Sequence, residues 1–290
     1  MVDDEYMLII EHHVLVFTHI VNKQLLGWGG IRLERKTVLL TGASGGIGFE
    51  VAKRFAKRGY RLVLVALEDE SLEAAADYLQ ALTDVTVIEK DLTQPNAAKE
   101  VYEHVARRGI HVDILINSAG VGLEGVFPEV PLDGQIRMIQ LNIVALTELT
   151  HAFAKGMMKR RYGRIVNLSS IAGPLPTPYM AVYGATKAYV YNFSQALQSE
   201  LQGAGDIVVT TVIPGPTKTP FTKTSTMNRL DGVMNKMGVS PESVADAIVD
   251  GILNRRVIII PNMRYKWMLL LGKLAPSFLV RRLMLGSMKG

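Results

Sequence analysis

The chain has 290 residues, 48% hydrophobic and 20% charged, with 26 glycines, 12 prolines and no cysteine. That apolar share offsets the entropy of ordering a chain, which excludes disorder over most of the length. The lack of cysteine removes disulfides, thiolate metal sites and cysteine nucleophiles, and fits a reducing, cytoplasmic setting. A net charge of +5, from 32 basic and 27 acidic residues, is too mild to point to nucleic acid.

Residues 1–35 read as an N-terminal appendage. The apolar stretch 7–21 is interrupted by Glu11, His12, His13 and His19. It is too short and too polar to span a bilayer, and it lacks the basic start and cleavage site of a secretory signal. No carboxylate or cysteine cluster joins His12 and His13, so no metal is expected there.

From Lys36 the chain alternates. Apolar runs at 37–41, 61–66, 85–89, 112–117, 164–169, 207–213 and 257–261 read as seven strands. Helical segments separate them, including Phe49–Arg58, 70–82 and the two longest, 133–159 and 181–202. Continuous apolar strands between helices predict a parallel sheet covered on both faces, doubly wound through right-handed crossovers. The segment 214–240, after the sixth strand, carries Pro, Thr, Gly and Met without a clear period. It lies on the side where such sheets bind ligands, so a lid is expected, a plain surface excursion being the alternative.

Thr41-Gly42-Ala43-Ser44-Gly45-Gly46-Ile47-Gly48 stands between the first strand and its helix. Glycines allow close approach of backbone to a ligand, and the helix N-terminus offers unpaired N–H groups to a pyrophosphate. No Lys-Ser or Lys-Thr follows, so it is not a Walker loop. Further on, Tyr183 and Lys187 are four residues apart, on one side of a predicted helix. A neighbouring ammonium stabilises phenolate and suits tyrosine to exchange a proton with an alcohol or carbonyl. Other strand ends carry Asp91-Leu92, Asn117-Ser118-Ala119-Gly120 and Asn167-Leu168-Ser169-Ser170, and Asn142 lies in the long helix before the fifth strand.

This ordered set, over about Lys36–Pro261, resembles the short-chain dehydrogenases/reductases of the compact, single-domain branch. The resemblance implies an α/β fold: one Rossmann-type doubly wound parallel sheet in a catalytic domain spanning 36–261, followed by a tail, 262–290. It implies Asn142, Ser170, Tyr183 and Lys187 as the catalytic residues, with Ser170 fitting the spacing to Tyr183 better than Ser169. Tyr183 would exchange the proton, Lys187 would lower its pKa and hold the nicotinamide ribose, Ser170 would orient the substrate oxygen, and Asn142 would position Lys187 through water. The cofactor residues implied are Gly42, Ser44, Gly46, Ile47, Gly48, Asp91, Leu92, Asn117, Ala119, Gly120, Tyr183, Lys187, Pro214, Gly215, Thr217 and Thr219. Ser118 departs mildly from the family's second asparagine.

The cofactor expected is NAD(H) or NADP(H). No basic residue stands near Gly45 or Leu67, and Glu68 or Asp69 would repel a 2′-phosphate, which tips the expectation to NAD(H). Against it, the family's acid for NAD would stand at Ala66, and these acids also suit the start of a helix. The tail segment 263–285 has five basic residues, no acid and much apolar surface. It suits a peripheral membrane contact, or a cover for the substrate pocket or a subunit interface, while Gly272 and Pro276 argue against one unbroken helix. An apolar carbonyl or secondary alcohol is the expected substrate, of fatty-acyl, steroid-like or other lipidic type, and a homo-oligomer is expected through 133–159 and 181–202. The alternative is a dinucleotide-binding regulator or scaffold without turnover.

Overall fold

The computed structural model describes residues 35–67, 69–221 and 237–287. The first 34 residues, and with them His12, His13 and His19, lie outside the described residues, as does 222–236 of the expected lid. Seven strands, β1 (Thr37–Thr41), β2 (Arg61–Ala66), β3 (Val85–Glu89), β4 (Ile114–Asn117), β5 (Tyr162–Leu168), β6 (Asp206–Val212) and β7 (Ile258–Ile259), form one sheet. Its order is β3-β2-β1-β4-β5-β6-β7, and every pairing is parallel. The chain winds outward from β1 to β3 and then returns to start again at β4. The carboxyl ends of β1 and β4 therefore face a crevice where the winding reverses.

Helices cover both faces because strand residues alternate between them. Val38, Leu40, Leu62 and Leu64 pack with α1 (Gly46–Lys57), α2 (Glu70–Gln80) and α7 (Pro241–Leu253). Leu39, Val63, Val65 and Leu115 pack on the other face with α3 (Ala97–Arg107) and α5 (Leu146–Arg160). Strands buried on both faces need apolar residues at every position, which is why they read as unbroken runs.

The strand spans expected at 112–117 and 257–261 are shorter in the structure. Edge strand β7 pairs only through Ile258 and Ile259. The helix expected over 133–159 is three pieces: α4 (Leu132–Ile139), a π-helical turn at Gln140–Ala145, and α5. Such a turn widens the ring of backbone hydrogen bonds, and Thr147 Oγ1 donates to the Ile143 carbonyl within it. The next long helix, α6, runs Ala181–Leu201. The tail folds as α8 (Met263–Leu274) and α9 (Ser277–Ser287). Ala275, at φ −76° and ψ 146°, takes the extended form that a following proline imposes.

Buried amides lock the central strands beneath the crevice. Asn117 Nδ2 donates to Asn167 Oδ1 at 2.8 Å and to Thr150 Oγ1 at 3.0 Å. Asn167 Nδ2 donates to Ser194 Oγ at 2.9 Å, whose hydroxyl donates to the Val190 carbonyl. The chain ties β4 and β5 to α5 and α6. Asn167→Ala leaves the Asn117 amide and the Ser194 oxygen short of a partner in a dry interior. It should cost about 2 kcal/mol, seen as a lower urea midpoint at unchanged m-value; an unmoved midpoint would show the chain to be dispensable.

Candidate active site

The glycine turn is shaped by contacts that exclude side chains. Gly42 has φ +68°, and a Cβ there would stand 2.9 Å from Ala119 Cα. At Gly48 a Cβ would stand 2.1 Å from the Gly42 carbonyl oxygen. Thr41 Oγ1 accepts from the backbone N–H groups of Ser118 and Ala119 at 3.1 and 3.0 Å, which fastens the β4 loop to the turn. Gly45 starts α1 with no side-chain cap, and a Cβ on it would meet nothing within 4 Å. An uncapped helix N-terminus leaves backbone N–H groups without a side-chain partner, the arrangement that suits a phosphate group. Ser44 and Ile47 are half-buried in the same turn, and Ile47 also packs against the core.

The four residues proposed for catalysis converge at the carboxyl end of β5. Tyr183 and Lys187 are buried on one side of α6, with Lys187 Nζ 5.8 Å from the Tyr183 ring centre. Nζ donates to the Leu168 carbonyl at 2.9 Å. Ser170, half-buried, hydrogen-bonds the Tyr183 hydroxyl, whereas the neighbouring Ser169 turns inward and donates to the Lys187 carbonyl at 2.7 Å. Asn142 sits in the π-helical turn. Its Oδ1 accepts from Val121 N–H at 3.0 Å, and its Nδ2 donates to the Val121 carbonyl and Thr186 Oγ1. A Cβ on Gly120 would lie 3.1 Å from Asn142 Oδ1 and 3.4 Å from Lys187 Nζ, so the two side chains border one small niche.

Burial governs both ionisations. It pushes the Tyr183 phenol up to about 12, against a smaller downward pull from the Ser170 bond. It pushes Lys187 down to about 8. Tyr183 is held as the acid, the form that gives a proton to a carbonyl oxygen.

The other implied cofactor residues sort by where their polar groups go. Burial pulls the Asp91 carboxyl upward, but bonds from Thr93, Gln94 and Arg137 hold it below its ordinary value. Leu92 beside it is buried. The Asn117 amide N–H groups go to protein partners in the interior, the Ala119 N–H goes to Thr41 Oγ1, and Gly120 lies against Asn142 and Lys187. After β6, Pro214 and Gly215 continue into Thr217 and Thr219, whose side chain covers Gly46. Asp69 caps α2, accepting from Leu72 N–H and Ser71 Oγ at 2.8 and 2.6 Å. The helix-start role claims it, and Glu68 lies outside the described residues.

Several contributors were not marked by the sequence. Tyr265 of α8 packs where a Gly215 side chain would be, and its hydroxyl donates to the Met237 carbonyl. Thr217 pairs with Val239, closing the base of the 214–240 excursion. Met138, Ala172, Met180, Leu123, Tyr179 and Phe221 form an apolar cluster with Tyr183. A Tyr at 265 and a Gly at 215 are unremarkable separately; only tertiary contact shows their relation.

This fold and crevice define an oxidoreductase of the dinucleotide-binding α/β class. The chain belongs to the short-chain dehydrogenase family, whose profile matches residues 36–230. It is 35% identical over 213 residues to serine 3-dehydrogenase of Rhizobium radiobacter, covering 72% of this chain and 84% of that protein. It is 29% identical over 222 residues to 3-oxoacyl-(acyl-carrier-protein) reductase of Escherichia coli, covering 77% and 90%. Among solved structures, a short-chain dehydrogenase from Sphingobium yanoikuyae in complex with NADPH superposes with a TM-score of 0.73 at 36% identity, over 82% of this chain and 93% of that one. The protein is an NAD(P)-dependent oxidoreductase of this family.

The burial of Lys187 has a sign in stability. Between pH about 8 and 10.5 the unfolded chain keeps the lysine proton that the native chain has lost, so stability rises with pH. Below that window both states carry the proton, and the cost is constant. Over the window, unfolding free energy should move by on the order of 3 kcal/mol in favour of wild type relative to Lys187→Met, measured by urea titration of the cofactor-free protein. A difference that stays flat with pH would show an ordinary ammonium at this position.

Proposed function

We propose that this protein interconverts an apolar ketone and its secondary alcohol with NAD(H), as a homo-oligomer, and meets its substrate at a membrane surface. The observation that carries the reading is the Ser170-bonded Tyr183 phenol, buried within an apolar cluster and four residues from Lys187. The uncapped N-terminus of α1 suits the pyrophosphate of a dinucleotide, and Lys187 at the carboxyl end of β5 would hold its nicotinamide ribose. When bound, the reduced nicotinamide supplies the hydride that reaches the carbonyl carbon. Tyr183 gives its proton to the carbonyl oxygen, so that one hydride and one proton complete the alcohol; in the reverse direction the phenolate takes the hydroxyl proton. Ser170 donates to the same oxygen and fixes the carbonyl's direction. Lys187 holds the ribose and stabilises the phenolate left after proton transfer, and Asn142 fixes the Val121 backbone beside it.

The named relatives act on unlike substrates, an amino acid and a 3-oxoacyl group, so kinship alone does not select one. Met180, Tyr179, Leu123 and Phe221 beside Tyr183 favour the apolar choice. NAD(H) rests on the exposed Leu67 and on Glu68, since Asp69 is engaged as a cap. The homo-oligomer rests on the family likeness and on exposed Leu132, Ile136, Val144 and Tyr189 along α4, the π-helical turn and α6. A regulator without turnover is not favoured, because Ser170, Tyr183 and Lys187 are all present and assembled.

The test follows dinucleotide oxidation by absorbance with NADH and NADPH in turn, against ketosteroids, 3-oxoacyl thioesters and medium-chain ketones. Tyr183→Phe should lose at least about 100-fold in kcat while binding dinucleotide as before. Turnover surviving in that variant would remove Tyr183 as proton donor, and a clear preference for NADPH would overturn NAD(H). Tight dinucleotide binding without turnover of any ketone would favour the regulator. Light scattering showing a monomer would remove the oligomer.

A further inference from the structure

The two C-terminal helices present an apolar and cationic face that packing among the described residues leaves open. On α8, Tyr265, Met268, Leu269 and Gly272 recur at helical spacing and turn inward, where Leu269 joins Leu175, Ile213 and Val280. A second apolar stripe runs along the opposite side through Met263, Trp267, Leu270, Leu271 and Leu274, with exposures from 47% at Leu270 to 75% at Leu274. Helical spacing puts Arg264 on one flank of this stripe and Lys266 and Lys273 on the other, all exposed. On α9, Val280 faces inward, while Phe278, Leu279, Leu283, Arg281 and Arg282 are exposed. Lys273 also bonds the Tyr191 hydroxyl at 3.1 Å. From Met263 to Ser287 there are five basic residues and no acidic one.

We infer that α8 and α9 dock on an anionic lipid bilayer, lying in its surface with the outward stripe of α8 among the acyl chains and the flanking cations at the headgroups. This rests on the proposed function and deepens it by naming the helices that meet the membrane and the lipid charge they take. Charge selects the occupant. In a two-fold dimer the same patch faces itself, so cations would meet cations across an apolar seam. An anionic membrane instead satisfies both halves of the pattern, since long basic side chains reach the headgroups while their stems cover apolar surface. Among the described residues no helix is long and apolar enough to cross a membrane, which agrees with a surface position.

The same helices are tied to the mouth of the site. The Tyr265 ring fills the space beside Gly215, at the carboxyl end of β6, and its hydroxyl holds the far base of the 214–240 excursion through Met237. Gly272 of α8 lies against Leu175, in the loop between Ser170 and Tyr183; a Cβ on Gly272 would stand 2.7 Å from a Leu175 methyl. The outward stripe lies on the opposite side of α8 from Gly272 and Leu175, so a bilayer against it stands one helix diameter, about 10 Å, from the loop between Ser170 and Tyr183.

The experiment is co-sedimentation of the full-length protein with phosphatidylcholine vesicles, with and without phosphatidylglycerol, at low and high salt. Binding should require the anionic lipid and weaken with salt. The triple charge reversal Arg264→Glu, Lys266→Glu, Arg282→Glu should weaken it at least about 100-fold, near fivefold for each cation lost. Leu271→Ser with Leu274→Ser should weaken it as well, while all variants turn over a water-soluble ketone as wild type does. Equal binding to neutral and anionic vesicles, or insensitivity to either set of changes, would overturn the inference. Loss of binding with charge reversal but not with the serine pair would mark an acidic partner protein instead. Variants that change the oligomer in light scattering would mark a subunit interface. Soluble-ketone turnover without vesicle binding would sink the docking surface and leave the active site standing; vesicle binding with turnover confined to polar substrates would keep the docking surface and remove the apolar substrate.

Discussion

A lysine ammonium buried at the end of β5 is the constraint on which the site depends. With Nζ on the Leu168 carbonyl, Lys187 requires α6 to lie close over the strand end. That closeness explains its neighbours. A Cβ on Gly173 would stand 2.7 Å from the Lys187 carbonyl oxygen, and one on Gly184 would stand 2.4 Å from Thr177 Oγ1. Ser169 spends its hydroxyl on the Lys187 backbone, which leaves Ser170, one residue on, as the serine turned toward Tyr183. The adjacent serines therefore have separate partners: one seats the helix and one bonds the Tyr183 hydroxyl.

Burial is costly for an ammonium unless other groups surround it. Here, among the described residues, a single backbone carbonyl, that of Leu168, accepts from the ammonium, and burial lowers its pKa; the other polar groups nearby hold the backbone around it. The Asn142 amide bonds both backbone groups of Val121, and Gly120 leaves room between Asn142 and Lys187. Underneath, the Asn117–Asn167–Ser194 relay fixes the strand ends from which these groups project. The polar floor and the apolar wall around Tyr183 do different work. The floor sets position, and the wall keeps the phenol protonated by excluding the water that would solvate its anion.

The sheet was legible because parallel strands buried on both faces become unbroken apolar runs. β1, β2 and β3 fall where hydropathy places them, and the glycine turn lies between β1 and α1. What periodicity could not show was the π-helical turn that presents Asn142, since a local widening of the helix leaves the pattern of apolar positions nearly unchanged. Nor could it show that Asn117 faces inward. A strand-end amide in a ligand-lining motif looks the same whether its side chain meets a ligand or a neighbouring strand, and only the parallel register Asn117 to Asn167 decides it. The acids after β2 show the same limit: both readings of Asp69 use its carboxylate, and the Leu72 N–H claims it for the cap.

The C-terminal helices show how two functions share one element. The inward stripe of α8 is needed for folding, because Tyr265 and Leu269 close the region next to Gly215 and Leu175. A helix with only that stripe would have a polar back. Instead α8 is apolar on two opposite sides, which gives it little net amphipathicity and makes it resemble an ordinary buried helix in sequence. The distinction lies in what separates the stripes: Arg264 on one side and Lys266 with Lys273 on the other. Cations at those borders suit neither a dry core nor a self-complementary seam, and they keep the outward stripe soluble until a partner of opposite charge covers it. The inward stripe of the same helix meanwhile touches Gly215 after β6 and Leu175 after β5, so one helix carries the proposed docking surface on one side and packs against the two strand-end segments on the other.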